Sequence, residues 1–188
     1  MPEPCLAGRL LVSAPQLRDP NFDRTVVLLL EHTEEGSLGL VLNRPSPVPL
    51  AEVLPDWAGV ACAPSVLFSG GPVQRSSAIC LAQLRKGIEA PAWKPFPGAI
   101  YGLGVLDLGQ SADALEAQVA GLRVFAGYAG WAGGQLEGEL QAGAWHPVDT
   151  EEGDALSSDP ESLWRAVLRR QGGWLAALAH SPTDASVN

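Results

Sequence analysis

Positive charge is scarce in this sequence: twelve Lys and Arg stand against twenty-one Asp and Glu, which leaves a net charge of −9 over 188 residues. The average field of such a protein repels phosphate backbones and anionic lipid headgroups. The densest basic cluster, Arg165, Arg169 and Arg170, is local and does not form a stripe along the chain. We therefore expect no generic binding to duplex DNA and no membrane partner.

The acidic residues include one dense stretch. Residues 137–161 contain eight acidic side chains and no Lys or Arg. Such a run of like charge is typical of a solvated acidic face or loop. We expect this stretch to lie in solvent.

Cysteine is also scarce, and the three thiols, Cys5, Cys62 and Cys80, are far apart and outside any C-x-x-C pair. This pattern is typical of reduced thiols in a cytoplasmic protein, not of a disulfide framework or a zinc site. The three histidines also lack an H-x-x-x-H pair. We expect no metal, no cofactor and no disulfide to support the fold.

Long hydrophobic runs are missing as well. The longest strongly aliphatic run, residues 26–30, has only five residues, and the first five residues carry neither a basic nor an apolar leader segment. The sequence therefore predicts a cytoplasmic protein with no secretion signal and no membrane-spanning segment.

The composition that is present predicts a folded chain. Hydrophobic residues make up 46% of its 188 residues, enough for one domain with a sizeable core. The twenty-one Gly and sixteen Pro favour turns over long helices, which excludes an all-helical bundle. We expect a single domain over residues 1–188 with short flexible ends.

Local patterns predict several short elements. Apolar runs bounded by turn residues indicate strands at residues 9–13, 25–31, 38–43, 66–68, 78–81, 100–108 and 124–128. The second and third are predicted to form an antiparallel hairpin around a short glycine-containing loop. Helices are expected at residues 50–54, 111–122, 135–141 and 159–171, with Ser111 and Asp159 as N-caps. Residues 86–98 contain three prolines and indicate a surface loop.

Four motifs occur in order along the chain. They are residues 14–22 (APQLRDPNF), residues 32–45 (HTEEGSLGLVLNRP), residues 70–73 (GGPV) and residues 127–139 (GYAGWAGGQLEGE), the last followed by Trp145. Together they resemble the AlgH/YqgE family of small, uncharacterised bacterial proteins over nearly the whole chain. The resemblance implies an α+β fold of bulged and coiled, largely antiparallel β-sheets flanked by a few helices. Members of the family are sometimes labelled putative transcriptional regulators.

We expect the four motifs to gather around one concave surface, because glycine, proline, Asn and Asp concentrate where strands end. The candidate binding residues of that surface are Asp19, Asn43, Arg44, Gly70, Gly71, Tyr128 and Trp131.

The polar candidates each have two interpretations. Asn43 and Arg44 offer an amide and a guanidinium fork suited to a carboxylate or phosphate. Alternatively, Asn43 bonds to the backbone at a strand end and Arg44 pairs with an acid. Asp19 is either a site carboxylate or the initiator of a turn before Pro20.

The glycine and aromatic candidates also each have two interpretations. Gly70 and Gly71 either expose backbone N–H groups to an anion or form a tight turn. Tyr128 and Trp131 either stack on a ligand or pack over the neighbouring glycines.

Three functions are compatible with these patterns. The first is a regulatory or protein-interaction module with an unidentified protein partner, the second a binder of a small molecule or anion, and the third a nucleic-acid-binding regulator. We identify no catalytic residue, since neither a G-x-S-x-G elbow, a P-loop nor a dinucleotide loop is present. A catalytic site assembled only in three dimensions stays open.

Overall fold

A long strand, β9, connects the two halves of the sheet in the computed structural model, which describes residues 4–183. The described residues contain ten strands: β1 (Leu10–Ser13), β2 (Val26–Thr33), β3 (Gly36–Val41), β4 (Pro45–Pro49), β5 (Val66–Ser69), β6 (Val73–Leu84), β7 (Trp93–Lys94), β8 (Leu103–Leu106), β9 (Val119–Ala132) and β10 (Trp145–Val148). They also contain five α-helices: α1 (Leu50–Val53), α2 (Ala112–Glu116), α3 (Gln135–Gln141), α4 (Leu163–Gln171) and α5 (Gly173–Leu178).

The strands form one open, largely antiparallel sheet. Their order is β10-β1-β2-β3-β9-β6-β8-β7, and β4 pairs with β5, which runs parallel to β9. The ladder register shifts between β2 and β3, between β4 and β5, and at two places between β6 and β9. The predicted α+β fold with bulged antiparallel sheets is confirmed.

The hairpin of β2 and β3 is the centre of the core. The apolar run of β2 is continuous, because both faces of the sheet are covered at this strand. Val26, Leu28 and Leu30 pack into one core cluster, and Val27 and Leu29 pack into another. The predicted hairpin therefore forms, with Leu28 of β2 opposite Leu40 of β3.

Two helices cover these two faces. The apolar stripe of α4 packs against the first cluster, and the Trp164 indole donates a hydrogen bond to the Ser13 carbonyl at 2.9 Å. Leu136 of α3 packs into the second cluster beside Trp131 and Trp145. None of the helices in the described part of the chain is long and apolar enough to span a membrane.

The structure corrects four local predictions. The helix expected at residues 111–122 ends at Glu116, because Val119 and Leu122 pair with β6 in the long β6–β9 ladder, and this tertiary pairing overrides the local helical spacing. Neither Ser111 nor Asp159 makes a side-chain capping bond. The predicted loop at residues 86–98 contains β7, and α5 follows Gly172 where the sequence indicated only a helix end.

Candidate functional site

The glycine pair Gly70–Gly71 crosses the backbone of β9. Phe125 of β9 lies opposite β5 on one side and β6 on the other, so the short link between β5 and β6 must pass over β9. A Cβ atom on Gly71 would lie 2.1 Å from the Tyr128 carbonyl carbon, and one on Gly70 would lie 2.3 Å from the Gly127 carbonyl oxygen. Side chains cannot fit at such distances, so both glycines serve this crossing.

The Asn43 side chain binds backbone groups. It is buried, its Oδ1 accepts a hydrogen bond from the Val26 N–H at 2.9 Å, and its Nδ2 donates to the Arg24 carbonyl at 2.8 Å. These two bonds fasten the end of β3 to the segment that enters β2. Asn43 therefore bonds to the backbone at a strand end, which is the second of its two predicted interpretations.

Asp19 forms a turn. Its carboxylate accepts a hydrogen bond from the Asn21 N–H at 2.8 Å, and its carbonyl accepts from the N–H groups of Phe22 and Asp23. This is the local geometry that an Asp before a proline favours. The side chain is exposed.

An aromatic clasp connects the first and fourth motifs; it consists of Phe22, Trp131, Trp145 and Glu139. The Phe22 ring lies 6.2 Å from the ring of Trp131 and 5.4 Å from that of Trp145. Both indole N–H groups donate to one oxygen of Glu139, at 2.9 and 2.8 Å. Trp131 is only 5% exposed, so its ring contributes to packing.

His32 connects the N-terminal segment to α3. Its Nδ1 accepts a hydrogen bond from the Leu6 N–H at 2.9 Å, so the ring proton is on Nε2, which donates to Glu137 at 2.8 Å. The hydrogen bond from His32 is the main cause that lowers the pKa of Glu137. Both ring nitrogens are occupied, so His32 has no free nitrogen for a catalytic or metal-binding role in this arrangement.

This pair predicts an acid-dependent stability. Since the pKa of Glu137 is lowered in the folded protein, its ionised form contributes stability above its unfolded pKa, and that contribution is lost as the pH falls through the lower, folded value. The wild type should therefore melt at a higher temperature than Glu137→Gln near neutral pH, and the gap should shrink in acid. Thermal melts of both proteins from pH 7 to about pH 3 measure this. A gap that is constant over this range would contradict it.

The acidic stretch at residues 137–161 is less solvated than expected. Asp154 is buried, and its two carboxylate oxygens each accept a hydrogen bond from Arg170 at 2.7 Å. This bidentate contact is the main cause that raises the pKa of Arg170, and Glu151 lies at 3.4 Å from the same guanidinium. Asp154 and Glu151 are thus structural partners of Arg170, so this arginine of the basic cluster is already paired.

Three arginines line one cavity, which we call the arginine pocket. Its volume is about 330 Å³, and it lies between the end of β3, the start of α4 and the segment after α5. The residues that line it are Arg24, Asn43, Arg44, Pro45, Glu161, Trp164, Arg165 and Thr183. Among residues 4–183, Glu161 is the only acid in this lining.

Backbone carbonyls hold the three guanidinium groups in place. Arg24 lies 4.8 Å above the Trp164 ring and donates to the Ser181 carbonyl at 3.0 Å. Arg44 donates to the Asp23 carbonyl and Arg165 to the Ala179 carbonyl. Each contact uses one terminal nitrogen of a group that carries five N–H donors. Within residues 4–183 these three groups make no hydrogen bond other than to backbone carbonyls, so their remaining donors can meet a ligand that carries several acceptor oxygens.

Burial is energetically unfavourable for two of these arginines. Burial lowers the pKa of Arg44, and the nearby Asp23 carboxylate partly offsets this effect. Nη1 of Arg24 is buried and has no hydrogen-bond partner within residues 4–183. An anion in the pocket would offset the cost of burying the Arg44 charge.

The predicted site residues divide between two cavities. Asn43 and Arg44 line the arginine pocket, whereas Tyr128 and Trp131 line a groove of about 430 Å³ beside β3. That groove also includes Glu31 and Glu35. The four motifs touch one another through the glycine crossing and the aromatic clasp, but Arg44 and Trp131 do not face one cavity among those described. The binding role of Asn43 and Arg44 stays a prediction.

The sequence did not indicate Arg24 or Trp164 as pocket residues, and it indicated Arg165 only as part of a basic cluster. Arg24 follows the first motif, and the other two lie on α4 near the opposite end of the chain. No local pattern brings them together. Only the packing of α4 against the hairpin brings these residues together in space.

Comparison with known proteins supports the fold. A family model described as AlgH-like matches residues 10–176. The chain belongs to the AlgH-like family. A UPF0301 protein of Streptomyces coelicolor is 54% identical over 187 residues, which cover 97% of this chain and 95% of that protein. A UPF0301 protein of Thermobifida fusca is 42% identical over 189 residues, with 97% and 96% covered.

Two solved structures agree with this membership. A crystal structure of a Corynebacterium diphtheriae protein has a TM-score of 0.87 and 30% identity, and the match covers 95% of this chain and 93% of that one. The solution structure of the AlgH protein from Pseudomonas aeruginosa has a TM-score of 0.67 and 31% identity, with 98% of each chain covered. The AlgH-like match includes every residue of the arginine pocket except Thr183.

Proposed function

We propose that this AlgH-like protein is a regulatory, non-enzymatic module that binds a small anionic ligand, bearing a phosphate or carboxylate group, in the arginine pocket. The observation that carries the proposal is the convergence of Arg24, Arg44 and Arg165 on one cavity of a chain whose net charge is −9.

Charge supports a specific role for this cavity. The chain has only twelve Lys and Arg, and three of them line this pocket, where Glu161 is the only acid among the described residues. Cations that line one cavity repel one another, and an anion bound in that cavity offsets the repulsion. The concave shape favours a compact anion over a duplex, whose phosphates are spaced along an extended surface.

The chemistry of the side chains supports a multidentate ligand. A guanidinium is planar and presents its N–H donors as a fork that matches two oxygens of a carboxylate or phosphate. The carbonyl contacts of Arg24, Arg44 and Arg165 orient these forks before a ligand arrives. Such preorganisation lowers the entropic cost of binding.

Titration calorimetry with inorganic phosphate, and separately with succinate, tests this proposal. The wild type should bind at least one of the two probes, and Arg44→Ala should weaken that binding by about tenfold or more, because one charge-assisted hydrogen-bonding group is lost. The melting temperature of Arg44→Ala should stay close to the wild-type value, since Arg44 is only partly buried.

Arg85→Ala is the matched control, because Arg85 is exposed and lies outside the arginine pocket. It removes the same charge from the protein and should leave the affinity unchanged. If Arg44→Ala and Arg85→Ala weakened probe binding equally, the effect would be one of net charge and not of the pocket. If the wild type bound neither phosphate nor succinate, the proposal would be rejected.

A further inference from the structure

A second arginine site lies near the start of β9, at Arg123. This side chain is only 2% exposed, and its guanidinium lies 4.2 Å above the Phe68 ring. Nη2 donates to the Ala63 carbonyl at 2.8 Å, but Nε and Nη1 have no hydrogen-bond partner in the described part of the chain. A buried cation with two unused donors is costly unless an acceptor approaches it.

Cys62 adjoins the peptide group to which this guanidinium donates. Cys62 precedes Ala63, and its N–H donates to the Leu122 carbonyl at 2.9 Å, which fixes it beside β9. Gly121 and Arg123 face the same side of the strand because side chains alternate along it. A Cβ atom on Gly121 would lie 2.4 Å from Cys62 Sγ, so the sulfur occupies the space over that face.

The electrostatics of Arg123 agree with this placement. Burial lowers the pKa of Arg123 to about 10, and Cys62 acts in the opposite direction. Of the three free thiols, Cys62 is partly buried, Cys5 is exposed and Cys80 is buried. Of the three cysteines, Cys62 therefore combines partial exposure of the residue with a buried cation whose charge it affects.

We propose that Cys62 is a site of reversible oxidation by hydroperoxides, and that Arg123 stabilises the oxidised sulfur. The Cys62 sulfur attacks one oxygen of hydrogen peroxide, an S–O bond forms, and the O–O bond breaks. The departing hydroxide takes the proton of the thiol and leaves as water. Sulfur is oxidised to a sulfenic acid while the peroxide is reduced.

The unused donors of Arg123 explain why this product is favoured. A thiol is a weak acceptor, whereas the oxygen of a sulfenic acid or sulfenate accepts strong hydrogen bonds. Nε and Nη1 of Arg123 would then gain the acceptor that they lack in the reduced protein. A cationic neighbour in a partly exposed site is also the environment of reactive cysteines in general.

Peroxide treatment of the full-length reduced protein, with dimedone present to trap sulfenic acid, tests the proposal. Peptide mass spectrometry then gives the rate of adduct formation at each cysteine. Cys62 should react several-fold faster than Cys5, although Cys5 is more exposed, and Cys80 should remain unmodified. In Arg123→Lys the rate at Cys62 should fall several-fold while the rate at Cys5 stays unchanged.

Cys80 monitors folding in this experiment, because modification of its buried thiol reports loss of structure. If Arg123→Lys exposes Cys80, the wild-type ratio of Cys62 to Cys5 decides the question on its own. A wild-type rate at Cys5 equal to or above that at Cys62 overturns the proposal. A folded Arg123→Lys protein with an unchanged rate at Cys62 overturns it equally.

Discussion

Gly71→Ala should lower the free energy of unfolding by about 3 kcal/mol or more. The added methyl group would lie 2.1 Å from the Tyr128 carbonyl carbon, and φ at Gly71 is +150°, a conformation that residues with a Cβ rarely adopt. Relief requires the β5–β6 link to separate from β9, which would disturb the bond from the Gly70 N–H to the Ala126 carbonyl. Urea denaturation followed by tryptophan fluorescence measures the change.

Gly138→Ala is the matched control for that measurement. Gly138 lies in α3, and a Cβ atom there would have no atom within 4 Å. Alanine favours a helix over glycine by about 1 kcal/mol, so this variant should be as stable as the wild type or more stable. A Gly71→Ala protein of wild-type stability would show that the chain crossing is looser than described.

Trp131→Ala should lower the free energy of unfolding by about 3–5 kcal/mol. The substitution removes a buried ring that packs against Phe22 and Trp145, and it leaves Glu139 with one indole donor in place of two. Because Trp131 lies outside the arginine pocket, the folded protein should bind inorganic phosphate with wild-type affinity. Urea denaturation and calorimetry below the unfolding transition measure the two effects.

Tyr101→Ala serves as the control, since Tyr101 is 77% exposed and its removal should change stability little. A Trp131→Ala protein that is stable but has lost phosphate affinity would assign Trp131 to a ligand and contradict its place in the aromatic clasp.

Local sequence signals predicted the parts of the fold that depend on local contacts. The β2–β3 hairpin and the short α3 follow from apolar runs and turn residues that are close in the chain. The segment at Val119 and Leu122 was assigned to a helix because its spacing is helical, whereas the long pairing with β6 decides its structure. Such pairing depends on residues some 40 positions away, which local periodicity does not report.

The candidate site shows the same division. The sequence indicated Asn43 and Arg44, because an amide beside a guanidinium at a strand end is recognisable chemistry. It could not indicate that Arg24 and Arg165 complete the arginine pocket, since only the docking of α4 brings them there. The aromatic clasp could not be predicted from the sequence either, because Glu139 accepts hydrogen bonds from two indoles that meet only in the folded chain.

NMR can show whether Arg24, Arg44 and Arg165 bind one anion together. The Nε–Hε signals of the arginine side chains are followed while inorganic phosphate is added to the ¹⁵N-labelled protein. The signals of these three arginines should shift together along one saturable curve, while that of the exposed Arg85 should not move. Shifts that never saturate, or that affect Arg85 as much as the three pocket arginines, would rule out a shared anion site.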